Sequence, residues 1–289
     1  MSALQSIQAF ISNVVNTKLS TVRIIVMSKW NVQFPKAKEG EECIVLGNGP
    51  SLKQTLVEDL EFIKKRKLIA VNFFAFSEAF QNLKPEYYLL NAPEYFSEVA
   101  PHATWEGNRN RVFKILNEQT NWPMILFVPM TAAKTSFWKN IIQDNKNISI
   151  CYYNTTPVEG LTSYSHFYFK RGWGMPRPHN VLVPGVFLAL NMGYKKVFIT
   201  GADHSWHEEI IVDENNLVNV KHEHFYDSKQ ISPMHKLGGK AFYLHDFFRK
   251  MYLSFEAYFI LKKYAASLNA SIINISKKSY IDAFEKQKV

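Results

Sequence analysis

Cysteine is almost absent from this 289-residue sequence, which carries only Cys43 and Cys151. Two are too few for a disulfide framework, and both fall in apolar runs that read as strands, so buried free thiols are expected rather than a bridge. No stretch approaches the roughly 20 consecutive apolar residues of a membrane span, and no low-complexity tract marks disorder. The opening Met1-Ser2-Ala3-Leu4 has no basic region leading into a hydrophobic block, so no secretory signal is expected and a cytoplasmic location is. Zinc-finger spacing, a single-stranded nucleic-acid signature and an arginine-rich tail are also missing, which argues against a nucleic-acid partner.

What is present suits one large core carrying a smaller lid, with 47% apolar residues and an abundance of phenylalanine and tyrosine. Lysine and arginine outnumber the acids 34 to 25, for a formal charge of +9. The lysines are dispersed, so the surplus reads as a basic surface that steers an anionic partner. A phosphorylated small molecule fits, and peripheral contact with the inner face of a membrane stays open, as does a homo-oligomer.

Residues 1–40 read as a helical annex, in which Leu4, Ile7, Phe10, Ile11 and Val14 recur at helical spacing. Residues 41–289 then alternate short apolar runs with helical patterns. Cys43–Leu46 stops at Gly47-Asn48-Gly49-Pro50-Ser51, which predicts a strand, a tight glycine turn and a helix starting near Ser51. Further strands are expected at Leu68–Val71, Tyr87–Leu90, Ile125–Val128, Ile148–Tyr152, Lys196–Thr200 and Ser271–Ile275. Helices are expected at Val186–Met192, closed by Gly193, and at Leu244–Leu268. Lid-like insertions fall near 154–180 and 207–240. This alternation predicts an α/β fold, an open and mostly parallel sheet with helices on both faces and a small lid. Ligands of such sheets sit beyond the carboxyl ends of the strands.

The suspicious residues cluster at those ends. Asn48, Asn72 and Asn91 follow three strands, and amide side chains at a sheet crevice suit neutral recognition of ribose and base. Glycines at two-residue spacing, Gly47 and Gly49, can let backbone amides approach a phosphate, with Ser51 beside them at a helix start. Gly201, Asp203 and His204 close another strand. Arg171 and Arg177 are phosphate-pairing candidates, and Tyr168 and Trp173 are candidates to stack on a sugar ring. Histidines gather at His204, His207, His222, His224 and His235. The residues Asp203, His204, His207 and Glu208 lack the spacing of a zinc site, so no metal site is assigned.

The run Ile44-Val45-Leu46-Gly47-Asn48-Gly49-Pro50-Ser51 resembles the opening of bacterial sialyltransferases that use CMP-sialic acid on a Rossmann-like nucleotide domain. It is also similar to a group of bacterial surface-polysaccharide proteins and, more distantly, to hydroxymethylpterin pyrophosphokinases. The resemblance covers blocks between Cys43 and Phe284. It implies that Asn48, Asn72 and Asn91 contact the donor. It also implies that Gly185, in Pro184-Gly185-Val186, lies where those enzymes touch the nucleotide. Val197–Gly201 with Asp203 matches their Gly-x-Asp strand. After it, His204-Ser205-Trp206 replaces a tyrosine-bearing ending, so the donor need not be CMP-sialic acid. Ser279–Phe284 is closer to the polysaccharide group.

The resemblance further implies metal-independent transfer of a sugar, sialic acid or a relative, from a nucleotide-sugar donor to a surface glycan, with no tightly bound cofactor. A histidine in a lid acts as base. His224 is the first choice, because Tyr226 follows it to hold phosphate, and His235 is the second, with Asp203 also in a catalytic position. Two alternatives remain open: an Mg2+-dependent pyrophosphokinase with Asp203 near the metal, and a non-catalytic nucleotide-binding protein of polysaccharide assembly.

Overall fold

The computed structural model describes residues 3–99, 103–224, 227–233 and 240–289, with the side chains of 221–239 outside the description. The chain begins with helix α1 (Ala3–Met27), and β1 (Cys43–Leu46) leads through the first glycine turn into α2 (Ser51–Glu58) and α3 (Leu60–Lys64). Then come β2 (Lys67–Val71), α4 (Ala79–Leu83), β3 (Tyr87–Leu89), α5 (Ala103–Gln119), β4 (Met124–Pro129), α6 (Phe137–Ile142) and β5 (Ile148–Tyr153). Helices α7 (Thr162–Lys170) and α8 (Leu182–Met192) precede β6 (Lys196–Thr200). A small hairpin layer follows, made of β7 (Ile210–Val212), β8 (Val218–His224) and β9 (Asp227–Pro233). Helix α9 (Leu244–Ser267), β10 (Ser271–Asn274) and β11 (Glu285–Lys286) complete the chain.

The main sheet runs β11-β10-β6-β1-β2-β3-β4-β5 and its pairings are all parallel. Strands cannot pair in parallel without a crossover, and each crossover from β1 to β10 brings a helix onto one face, while β10 reaches β11 without a helix. Alternation along β1 divides the core. Cys43 and Val45 pack with α8 and α9 on one face, while Ile44 and Leu46 pack with the helices α2 to α6 on the other. The fold is therefore the expected Rossmann-like α/β sheet. From β1 the chain moves outward through β2 to β5, then returns to β6 on β1's other side. The order reverses between β1 and β6, so the loops after these two strands diverge around a crevice.

Helix α1 runs on through Val22–Met27, and its buried residues are Thr17, Ser20 and Ile24. Much of the lid-like segment 154–180 packs against α1 and the residues that follow it. Its first part is the seat of α1: Ser20 and Glu159 bond reciprocally through Oγ, and Thr21 Oγ1 and the Tyr168 hydroxyl are 2.9 Å apart. Asn154 clasps the backbone of Lys29 on both sides, at 2.9 and 2.8 Å. Trp173 crosses Trp30 edge to face at 4.5 Å, so neither it nor Tyr168 faces the crevice. The cysteines are free, Cys43 buried and Cys151 partly so.

Gly185 is also a packing residue rather than a ligand contact. It lies inside α8 over β1, where an added Cβ would stand 2.8 Å from Val45 Cγ1. Gly185→Ala therefore overpacks the layer and is expected to cost about 1–3 kcal/mol in urea unfolding. Gly107→Ala in exposed α5, where a Cβ meets nothing within 4 Å, is expected to gain about 0.5–1 kcal/mol from helix propensity in the same measurement.

Candidate functional site

A cavity of about 330 Å³ opens at the β1/β6 reversal. Its floor is the two glycine loops. Gly47 N–H donates to Thr200 O at 2.8 Å and Gly49 N–H to Gly201 O at 2.9 Å. The approach is too close for side chains, since a Cβ on Gly47 would sit 2.4 Å from Gly201 O and Gly201 itself has φ 61°. Asp203 completes the fastening: its carboxylate accepts from Ser51 N–H at 3.0 Å and from Ser51 Oγ at 2.5 Å. Burial pushes the Asp203 carboxyl up, while the bonds from Ser51 pull against that rise.

This arrangement overturns one expectation. The amides of Gly47, Gly49 and Ser51 are taken by the second loop, so the first glycine turn does not offer them to a phosphate. Asp203 likewise holds the loops together, in a positioning role rather than with a free carboxylate.

Recognition falls to side chains instead. Asn48 Nδ2 donates to Val71 O at 3.0 Å, which fixes the amide and leaves Oδ1 buried with no partner among the described residues. Asn72, held at φ 51° just past β2, also buries an unpartnered Oδ1. Across the cavity, Asn180 Oδ1 accepts from Leu182 N–H and Val183 N–H at 3.0 and 3.3 Å, capping α8. Its Nδ2 is thereby turned outward and lacks a partner among the described residues. Two acceptors and one donor, buried and unmatched, line one space; unmatched buried polar groups cost about 1–3 kcal/mol each, and a bound ligand offsets that.

The wall beside them is aromatic. Phe73, Tyr95 and Trp105 lie with ring centres 5.3–5.4 Å apart, and all three line the cavity. The lining also includes His204, its ring tilted against Trp206 at 4.4 Å, and Glu209. Ser205 completes the second loop's lining.

The protonation of His204 follows from its neighbours. Asn180 Oδ1 can only accept, so the Tyr258 hydroxyl donates to it at 2.9 Å. Tyr258 O must then accept from His204 Nε2–H, at 2.7 Å. The imidazole is the Nε2–H tautomer, with Nδ1 an acceptor. Complete burial pushes its pKa down to about 3, so it is neutral at physiological pH and is a poor proton carrier there.

Of the sequence candidates, Gly47, Asn48, Gly49, Asn72, Gly201, Asp203 and His204 meet at the cavity, and Ser51 lies behind it. Asn91 stands one residue from the lining, its Oδ1 taken by the Tyr153 hydroxyl at 2.9 Å. Gly185 is elsewhere. Arg177 pairs with Glu159 at 2.8 Å and Arg171 covers Phe167 at 3.7 Å, both away from the cavity. Glu208 is engaged by Lys278 and by Tyr280, and His207 packs on Tyr280. Among the described residues no three His, Cys, Asp or Glu side chains gather as metal ligands. Tyr226 and His235 lie outside the described residues, as does the side chain of His224, whose backbone ends β8. Asn180, Tyr258, Glu209 and the aromatic wall were not anticipated. Asn180 carried a readable signal, an asparagine just before an apolar helix.

A histidine neutral in the fold but protonated when unfolded makes the protein acid-sensitive. The unfolded chain takes up a proton below about pH 6.5 and the fold does not until about pH 3. Stability therefore falls as pH drops through that window, with a slope approaching 1.4 kcal/mol per unit from this group, about one proton's worth. Asn tolerates positive φ, as position 204 requires at 53°. Urea unfolding at a series of pH values is expected to show a shallower acid slope for His204→Asn.

Neither a protein-family model nor a curated protein matches the sequence. Among solved structures, the fold is similar to that of the MAf glycosyltransferase from Magnetospirillum magneticum AMB-1, with a TM-score of 0.50 and 11% identity. The match covers 94% of this chain but 38% of that one, so this chain spans under two fifths of that protein's length. At this identity the likeness is one of fold, an α/β architecture that a glycosyltransferase also uses.

Proposed function

We propose that the protein is a glycosyltransferase that binds a nucleotide-sugar donor in the β1/β6 cavity and passes the sugar to a glycan hydroxyl. The observation that carries this reading is the set of buried, unmatched amide atoms, Asn48 Oδ1, Asn72 Oδ1 and Asn180 Nδ2, around one space. They complement the hydroxyls and base edge of a nucleoside, and the Phe73–Tyr95–Trp105 wall offers a face for the base. A cavity of about 330 Å³ lies within the usual range for small-molecule sites. The block resemblance to sialyltransferases points the same way and makes a CMP-linked donor the first to try.

In this reaction the acceptor oxygen attacks the anomeric carbon, the bond from that carbon to the donor phosphate oxygen breaks, and the nucleotide leaves with the electron pair. The acceptor proton goes to a base. Of the two cavity carboxylates, Asp203 is bonded to Ser51, which leaves Glu209 as the candidate base, and His224 is the base implied by the resemblance. His204, held neutral by burial, orients rather than carries the proton.

The test is calorimetric titration with CMP, UMP, GMP and AMP, followed by acceptor-dependent nucleotide release from the matching sugar donors. One nucleotide is expected to bind, and Asn48→Ala or Asn180→Ala to weaken it by about tenfold, the worth of one buried hydrogen bond. Glu209→Gln and His224→Ala then separate the two bases by their loss of turnover at retained binding. Mg2+-dependent release of AMP from ATP would overturn the reading in favour of pyrophosphoryl transfer, and binding without any turnover would leave a nucleotide-binding protein.

A glycan acceptor built on a lipid would place the enzyme at a membrane, and α1 supports this. The helix faces its polar Thr17 and Ser20 inward and leaves Leu4, Phe10, Val22 and Val26 outward, at 76, 60, 58 and 77% exposure. No acidic residue precedes Glu39, while Lys18, Arg23, Lys29, Lys36 and Lys38 do. An apolar face within a purely basic segment suits an anionic bilayer surface. Among the described residues no helix is long and apolar enough to cross a membrane. The full chain is expected to sediment with vesicles rich in phosphatidylglycerol and not with phosphatidylcholine alone, and Phe10→Ser with Val26→Ser to abolish this. Equal binding to both vesicles, or a dimer lost in the double variant without vesicle binding, would overturn it.

A further inference from the structure

The candidate cavity has a charge problem. Its charged lining residues are the acids Asp203 and Glu209, and its histidine is held neutral. No lysine or arginine lines it among the described residues. A nucleotide's phosphate placed there would face two carboxyls and no cation.

The cation lies next door. A second cavity, of about 160 Å³, shares Asn180 and Trp206 with the first and is otherwise lined by His179, Val220, Phe247, Lys250, Met251 and Ser254. The polar lining of this small space includes Asn180, His179 and Lys250. Asn180 Nδ2 and His179 Nε2 are buried and have no partner among the described residues. Lys250 reaches in from α9 and forms no ion pair among the described residues. Burial pulls the Lys250 ammonium down from its usual range, with only the more distant charge of Glu94 opposing. His179 is also held down, first by burial and then by the charges of Arg177 and Lys250. A buried lysine beside a histidine, neither with an ion pair among the described residues, leaves this pocket short of negative charge.

We propose that this second cavity is an anion subsite that takes the phosphate of a nucleotide whose nucleoside fills the first cavity. The assignment rests on the nucleotide reading given above and adds the groups that balance the leaving charge. Lys250 supplies the compensating charge and His179 a hydrogen bond, while the two hydrogens of Asn180 Nδ2, at the seam, serve one cavity each. Asn180 is the hinge of the arrangement, because capping α8 fixes its amide and so fixes where Nδ2 points. In the transfer step, the phosphate oxygen gains charge as its bond to the sugar breaks. A fixed ammonium beside it, in a pocket with little water, stabilises that charge without reorganising.

Lys250→Met keeps the aliphatic stem and removes the charge, and Lys250→Arg keeps the charge. Calorimetry with cytidine, CMP and inorganic phosphate reads the subsite directly. CMP is expected to bind the wild-type protein at least tenfold more tightly than cytidine does. Lys250→Met is expected to lose about tenfold or more of the CMP affinity, the worth of a charge-assisted hydrogen bond. Its cytidine affinity should be unchanged, and Lys250→Arg should recover part of the loss. Unfolding of Lys250→Met at or above the wild-type temperature shows that the fold is intact.

Unchanged CMP affinity in Lys250→Met overturns the subsite while leaving the nucleotide reading standing. If Lys250→Met spares CMP and weakens only a CMP-linked acidic sugar, the group bound is the sugar's carboxylate and the phosphate assignment is overturned. If neither cytidine nor CMP binds, yet inorganic phosphate binds the wild type and not Lys250→Met, the subsite stands and the nucleoside assignment of the first cavity falls.

Discussion

The crossing of two backbone loops is the constraint on which the site depends. Gly47 and Gly49 donate to Thr200 and Gly201, and the two loops approach so closely that no side chain fits at Gly47 or Gly201. Each such bond is worth only about 1 kcal/mol net, but the contacts are layered. Asp203 grips Ser51, Ser279 Oγ donates to Ala202 O at 2.6 Å, and Ser276 Oγ accepts from Ala202 N–H at 3.1 Å. Tyr280 N–H adds a bond to Asp203 O at 2.9 Å. The segment after β10 thus clasps the loop after β6, which clasps the loop after β1. Three strand ends are locked as one floor, in side-by-side strands of the sheet.

That floor has a chemical consequence. In many α/β proteins a glycine turn frees its amides for phosphate. Here the same residues spend them on each other, so polar recognition passes to the side chains that stand on the floor. Asn48 and Asn180 each use one end of the amide to bind backbone and turn the other end into the space. An amide held in this way cannot flip to suit a different partner, which turns a permissive residue type into a fixed acceptor or a fixed donor.

Most of the scaffold was legible because short apolar runs ended in glycine, asparagine or proline, and those endings coincide with the strand ends of a parallel sheet. The β1 and β6 loops stood out for that reason. What escaped reading depends on contacts between distant segments. Phe73, Tyr95 and Trp105 come from three separate stretches, and nothing in their local spacing shows that they form one wall. Tyr258 sits mid-helix in α9 with no local mark. Residues 154–180 are rich in glycine and aromatics, a composition shared by mobile loops and tight seats. Gly160, at φ 117° against Thr17 of α1, makes it a seat. The spacing of α1 identified a two-faced helix but could not say that Thr17 and Ser20 turn inward together with Ile24.

The departure from the sialyltransferase pattern at His204-Ser205-Trp206 has a structural reason. His204 adopts φ 53°, sits fully inside the protein and joins α9 to the start of α8 through Tyr258 and Asn180. A side chain without a hydrogen-bonding group there would leave the Tyr258 hydroxyl donating to Asn180 but deprived of the bond it accepts from His204 Nε2–H. The histidine is therefore tied to the donor that the cavity presents from its far wall. The point at which sequence likeness stops is also the point at which this chain couples its second glycine loop to its unmatched amide.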